Sequence, residues 1–147
     1  MIQHIDVHAV LQQSVPGLYR DLVTRPTGRA VRERIERAIV AAGATIALMD
    51  FSQVGCLDYS CADEIVAKLS RERVKVLLLR GLSDGHREAI EPVLRGHGLT
   101  VVLERPDHTL DVLGDGSPDS QQALLEELVA QRVAFRTPGG AIALTAA

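Results

Sequence analysis

Tryptophan is absent, and the 147 residues include only two tyrosines and two phenylalanines. The core must therefore be built from Val, Leu, Ile and Ala. A platform for single-stranded nucleic acid, which depends on stacked aromatic faces, is not expected. An excess of one charge sign is also lacking. The net charge is −3 with no long basic run, so the electrostatic footprint of a nucleic-acid binder is missing. No apolar stretch approaches the ~18 residues of a membrane span. The start, Met1-Ile2-Gln3-His4-Ile5-Asp6, lacks a basic segment followed by a hydrophobic one. Neither a membrane anchor nor a signal peptide is expected, and the expected location is the cytoplasm.

Chemistry-bearing patterns are few as well. There are two cysteines, Cys56 and Cys61. A C-x4-C pair without a second pair or a neighbouring His makes a poor zinc site, so both are expected to be reduced packing residues. His4 and His8 lie four apart, but in a segment that reads as extended. His86, His97 and His108 share no ligand spacing. Gly81 and Gly85 lack the Lys-Ser/Thr that would complete a phosphate loop, and no G-x-S-x-G occurs. No nucleophile stands at a telling distance from a base. The expectation is a protein that is not an enzyme and carries no cofactor or metal.

The chain does contain the pattern of one compact α/β domain. Thr45–Met49, 74–79 and 99–103 are short apolar runs, of the kind buried on both faces of a parallel sheet. Between them lie segments of helical period. Residues 28–42 carry an apolar stripe of Ala30, Val31, Ile35, Ala38, Ile39 and Ala42, with Thr27 as a candidate cap and Gly43 as a stop. Arg25, Arg29, Arg32, Arg34 and Arg37 stand in or next to it, the last three interleaved with Glu33 and Glu36, and read as a solvated face. A helix over 59–71 buries Cys61, Ala62, Ile65, Val66 and Leu69. Ser83-Asp84 opens another that reaches about 96, with Pro92 predicting a kink or break. Residues 2–10 read as an edge strand, and 18–23 as either a short helix or a strand. Alternating strand, helix and strand implies right-handed βαβ units. After residue 104 come a turn, a short strand near 109–113, an acidic amphipathic helix over 119–131 and a hairpin from 133–136 and 141–145.

The segment Asp50-Phe51-Ser52-Gln53-Val54 through Leu69 resembles the signature of STAS domains (sulfate transporter and anti-sigma-factor antagonist). That signature is a strand ending in Asp-Leu/Phe-Ser, a loop, and Asp-Ser-Ser/Thr-Gly opening a helix. A divergent STAS-like branch is closer. It pairs Arg25-Pro26-Thr27-Gly28-Arg29 with Asp50-Phe51 and with Cys61-Ala62-Asp63-Glu64. The resemblance covers residues 18–104 and implies a STAS-like domain over 1–104. This would be a small sheet of about four to five strands with flanking helices. Residues 105–147 would form a C-terminal helix and β-hairpin extension packed on the same domain. It also implies function. Family members dock on a partner that is both serine kinase and anti-sigma factor, and release it once the Ser after the loop Asp is phosphorylated. Here that position holds Tyr59, Cys61 replaces the closing Gly, and Ser60 is the remaining acceptor.

The candidate partner-facing or phospho-switch residues are thus Asp50, Ser52, Asp58, Tyr59, Ser60, Asp63 and Glu64. Each also has a plain architectural role to weigh. Asp58 suits a helix cap and Ser60 a local first-turn bond. Asp50 and Ser52 suit loop ties, and Asp63 and Glu64 suit the positive end of the helix dipole. The leading expectation is a non-catalytic regulatory module that presents residues 51–64 to a protein partner. The alternatives are a small-ligand or nucleotide sensor using the strand C-terminal edge, and a transcriptional regulator using the C-terminal helix–hairpin. Asp119, Glu126 and Glu127 argue against DNA contact by that helix.

Overall fold

The alternation of short apolar strands with longer helices produces a five-stranded sheet, in order β1-β2-β3-β4-β5, and a separate two-stranded hairpin. The computed structural model describes all residues except Met1, Pro16, Leu18, Tyr19, Ala146 and Ala147. Strands β1 (Ile2–Asp6), β2 (Ile46–Asp50), β3 (Val76–Arg80) and β4 (Thr100–Glu104) run parallel, and β5 (Leu110–Gly114) returns antiparallel to β4. Each crossover moves one place in the same direction. With crossovers of one hand, the connecting helices must all land on one face. These helices are α1 (Val7–Ser14), α2 (Arg25–Ala42), α3 and α4 (Asp84–His97). Helix α3 is continuous but uneven: Tyr59–Ala62, a π-helical turn Asp63–Ala67, then Lys68–Glu72.

Side chains alternate across the sheet and divide the core in two. Ala47, Met49, Leu77, Leu79 and Val101 pack under the helices, against Val31, Ile35, Ile65, Leu69, Ile90 and Leu94. Ile46, Leu48, Val76, Leu78 and Val102 face the other way. They are covered by α5 (Pro118–Ala130) and the hairpin β6 (Ala134–Arg136) and β7 (Ile142–Leu144), through Leu128, Val133, Ala134, Ile142 and Leu144. The strands are apolar on both faces because both faces are covered.

Several local expectations change. Residues 2–10 are not one strand: β1 stops at Asp6, whose carboxylate accepts from Ala9 N–H (3.2 Å) and starts α1. Alternation alone could not reveal that switch of period. Helix α2 starts at Arg25 rather than 28, with Pro26 in its first turn, so Thr27 lies inside it and does not cap it. Pro in a first turn removes only an N–H that has no helical partner. Helix α4 runs through Pro92 without a break. In the 18–23 segment, Leu18 and Tyr19 lie outside the described residues. Leu22 forms an isolated parallel bridge with Leu57.

Candidate functional site

Strand β2 delivers Asp50 and Phe51 to the carboxyl edge of the sheet. The loop that follows is tied down on three sides. Phe51 is buried, and its N–H bonds the Arg80 carbonyl (2.9 Å). Gly55 N–H donates to Arg20 O (2.6 Å), Leu22 N–H to Cys56 O (2.8 Å), and Asp58 N–H to Leu22 O (3.0 Å). Cys56 N–H donates to the Asp21 carboxylate (2.8 Å). From α4, Ser83 and His86 form a reciprocal capping box. His86 Nδ1 accepts from Ser83 N–H (3.1 Å), so Nε2 carries the proton and donates to Gly55 O (2.7 Å). The His86 ring also packs at 5.8 Å on Phe51. A loop bonded to so many separate segments is a rigid platform.

Asp58 joins the loop to two helices at once. Its Oδ1 accepts from Cys61 N–H and the Ser60 hydroxyl (both 2.8 Å), and its Oδ2 from Thr24 N–H (3.0 Å). Thr24 sits at φ +70°, a conformation rare for a β-branched residue, just before α2. Burial pushes the Asp58 carboxyl up, but the bonds from Cys61, Ser60 and Thr24 outweigh it and hold the group below its usual range. Burial, with the Asp58 charge nearby, pushes the Cys61 thiol up to about 12. Cys61 is therefore an inert packing group at neutral pH, and its Sγ lies 3.1 Å from the Thr24 carbonyl.

The motif segments 25–29 and 61–64 interlock. A Cβ on Gly28 would stand 3.0 Å from Cys61 Cα and 3.1 Å from its sulfur, so glycine permits the close approach of α2 and α3. Next to this contact, Glu64 is fully excluded from solvent. Its carboxylate meets Lys68 Nζ (2.5 Å), Arg25 Nη1 (3.0 Å), Arg32 Nη2 (3.5 Å) and Arg29 Nε (3.6 Å). Asp63 takes Arg25 (2.8 Å) and His97 Nε2 (2.8 Å). In both acids burial acts upward and is outweighed, by Lys68, Arg32 and Arg25 for Glu64 and by Arg25 and His97 for Asp63. Arg25 and Arg29 remain largely exposed while reaching Glu64, and Arg32 alone of the three leaves the solvated face that its spacing with Glu33 and Glu36 predicts. The π turn at 63–67 widens the buried side of α3 to include Glu64 and Ala67.

The seven candidate residues thus fall in two places. Asp58, Ser60, Asp63 and Glu64 are bonded inside the α2–α3 junction, and Tyr59 beside them is 62% exposed. Asp50 and Ser52 instead line a cleft of about 600 Å³ at the strand ends. Asp50 Oδ1 accepts from Ser52 N–H (2.8 Å). Gly81, at φ +71°, lets β3 turn against them, since a Cβ there would stand 2.8 Å from the Ser52 backbone.

The cleft contains residues that sequence reasoning missed. Arg80 Nε donates to Glu104 Oε1 (2.5 Å). This bond, with Asp50 adding a charge, outweighs burial and raises the Arg80 pKa further above its ordinary range. The Glu104 side chain is only 4% exposed. Its Oε2 has no hydrogen-bond partner among the described residues, and His108 Nδ1 lies 3.5 Å away. His108 holds φ +72° at the β4–β5 turn. A second cavity of about 530 Å³, lined by Ile2, Phe135, Ala143 and Leu144, shares Arg80, Glu104 and His108 with the first. The available signal was that three apolar runs end on charges: Asp50, Arg80 and Glu104. Among the described residues, no cluster of three or more His, Cys, Asp or Glu could hold a metal ion, and no helix is long and apolar enough to cross a membrane. Comparison with protein-family models, with curated proteins and with solved structures returned no match to this chain.

Proposed function

We propose that this chain is a non-catalytic regulatory module of STAS-like type, which presents the Phe51–Glu64 loop and helix start to a protein partner. The observation that carries the reading is the setting of Tyr59. A chain with four aromatic residues leaves one of its two tyrosines 62% exposed. The ring stands on a junction whose neighbouring polar side chains are bonded internally. A rigid platform with a protruding aromatic is what an interface anchor needs, because little conformational entropy is lost on docking. The motif resemblance points to the same surface and to a partner of the serine-kinase or anti-sigma-factor kind. Ser60 Oγ already bonds the Asp58 carboxylate. A phosphate there would put roughly −1.5 to −2 charges against that anion and loosen the cap, so phosphorylation would act by disrupting the platform.

The test is co-purification with the serine kinases and anti-sigma factors of the source organism, with wild type beside Tyr59→Ala and Asp58→Ala. Tyr59→Ala is expected to cut capture at least tenfold with an unchanged melting temperature. Retention of every interaction by both variants would remove this face from consideration. A second reading, a small-ligand sensor, is favoured by the strand-end cleft and by the Glu104 oxygen beside it that has no hydrogen-bond partner among the described residues. The helix–hairpin as a DNA reader has less support, because α5 and the hairpin direct Leu128, Ile142 and Leu144 into the core.

A further inference from the structure

The last rung of the parallel sheet is a row of charges. Asp6, whose carboxylate caps α1, stands opposite Asp50, Asp50 opposite Arg80, and Arg80 opposite Glu104; the last three line the cleft. Residues opposite one another across strands project to the same face. The three follow Leu48, Leu78 and Val102 on the face covered by the C-terminal helix and hairpin, at the edge where that cover leaves the cleft open.

The row is only half satisfied. Arg80 uses Nε on Glu104 Oε1, and its terminal nitrogens form no hydrogen bond among the described residues. Asp50 uses Oδ1 on Ser52 N–H, and its Oδ2 forms no hydrogen bond among the described residues. Glu104 Oε2 is buried with no donor among the described residues, a costly arrangement for a polar atom. The nearest donor, His108 Nδ1, is 3.5 Å away, beyond good hydrogen-bond length. Its ring is 71% exposed, at a loop tip in a left-handed conformation beside that oxygen. Backbone of that kind in a bulky residue collects at binding sites. The other charges at the rim are largely engaged with one another: Arg105 with Asp111 (2.8 Å) and Arg87 with Glu91 (3.3 Å). Asp84 stands at the first turn of α4.

We infer that this cleft binds a small zwitterion of the α-amino-acid class. The ligand carboxylate takes the free terminal nitrogens of Arg80. Its ammonium takes a flanking carboxylate, Asp50 Oδ2, or Glu104 Oε2 once the His108 ring swings aside. Neutral apolar ligands leave these groups unpaired. A polyanion meets Asp50 and Glu104, and a simple cation meets Arg80. Only a ligand with adjacent opposite charges completes the row. A side chain on such a ligand has the adjoining cavity, lined by Ile2, Phe135 and Leu144, to enter.

The inference rests on the ligand-sensor reading and is independent of the Tyr59 surface. The test is thermal unfolding and calorimetry of the whole chain. The probes are the free L-amino acids, one at a time at about 10 mM, with the matching amines and the matching des-amino acids as single-charge controls. At least one amino acid is expected to raise the melting temperature by about 2 °C or more through mass action, and its two single-charge analogues to fail. Asp50→Asn and Arg80→Gln are each expected to weaken that binding at least tenfold. Asp50→Asn provides the readout if Arg80→Gln does not fold. A shift produced equally by an amine or a carboxylate alone keeps a ligand site but overturns the zwitterion. No shift with any probe overturns the zwitterion and removes support for the sensor reading. Binding untouched by both substitutions places the ligand elsewhere and overturns the site.

Discussion

Glu64 is the residue on which most of the local electrostatics depends. A carboxylate with no solvent exposure is tolerated because Lys68, Arg25, Arg32 and Arg29 surround it. Removing its charge leaves those cations crowded together. Glu64→Gln is expected to lower the unfolding free energy by about 2 kcal/mol in urea titrations at pH 7, below the ~3–5 kcal/mol of a fully buried pair because Arg25 and Arg29 reach solvent. The pH dependence follows from the same groups. Asp58, Asp63 and Glu64 have folded-state pKa values below their ordinary ones. Groups of this sign contribute stability that is present above the unfolded carboxyl pKa of about 4. That stability is lost as pH falls through the lower folded values. Urea midpoints are therefore expected to be insensitive to these groups above about pH 5 and to decline below about pH 4. Glu64→Gln should make the decline shallower; an unchanged acid limb would mean that Glu64 is not ionised in the fold.

Between elements, the closest approach is that of α2 and α3 at Gly28 and Cys61. A methyl added at Gly28 meets backbone Cα at 3.0 Å, which cannot swing away as a long side chain would. In an isolated helix, replacing this glycine by a better helix former would stabilise by up to about 1 kcal/mol. Here crowding opposes that gain. Gly28→Val is expected to destabilise by about 2 kcal/mol, read as a lower melting temperature. It should also loosen the Arg25–Asp63 and Arg32–Glu64 pairs that depend on the same spacing. A Gly28→Val protein as stable as wild type would mean that the two helices do not need their contact. The motif resemblance has a physical reading at this scale. Segments 25–29 and 61–64 are distant in sequence, and each supplies what the other requires: a gap for Cys61 and cations for the two acids.

At the level of the whole molecule, the C-terminal forty residues complete the sheet's second face. Without them, Ile46, Leu48, Val76, Leu78 and Val102 would lose Leu128, Val133, Ile142 and Leu144. A contiguous apolar surface of that kind promotes association. Strand β4 would also lose β5 and become a bare edge. A chain ending at Glu104 is expected to aggregate or to bind a hydrophobic dye more strongly than the full chain. A monodisperse, dye-silent truncation would show that the helix and hairpin are dispensable to the core.

Much of this architecture was legible in the order of residues. Apolar runs bounded by helical stripes located the strands, α3, α4, α5 and the hairpin within a few positions, because burial on two faces imposes a continuous run and burial on one stripe imposes a period. Gly43 and Gly98 both adopt the left-handed conformation that ends their helices. Asp58 and Ser83 cap theirs, as short polar side chains before a periodic segment should. The starts of α1 and α2 were less clear: Asp6 caps a helix inside an alternating stretch, and Thr24 is held at positive φ by a carboxylate 34 residues away. The strand-end row of Asp50, Arg80 and Glu104 was visible only as three charges ending three apolar runs. Sequence determined which segments become strands and helices, because propensity and periodicity are local. Only the tertiary structure decided that Glu64 faces four cations, that Tyr59 is left in solvent and that one Glu104 oxygen has no donor among the described residues, because each depends on strand register and helix contact between residues far apart in the chain.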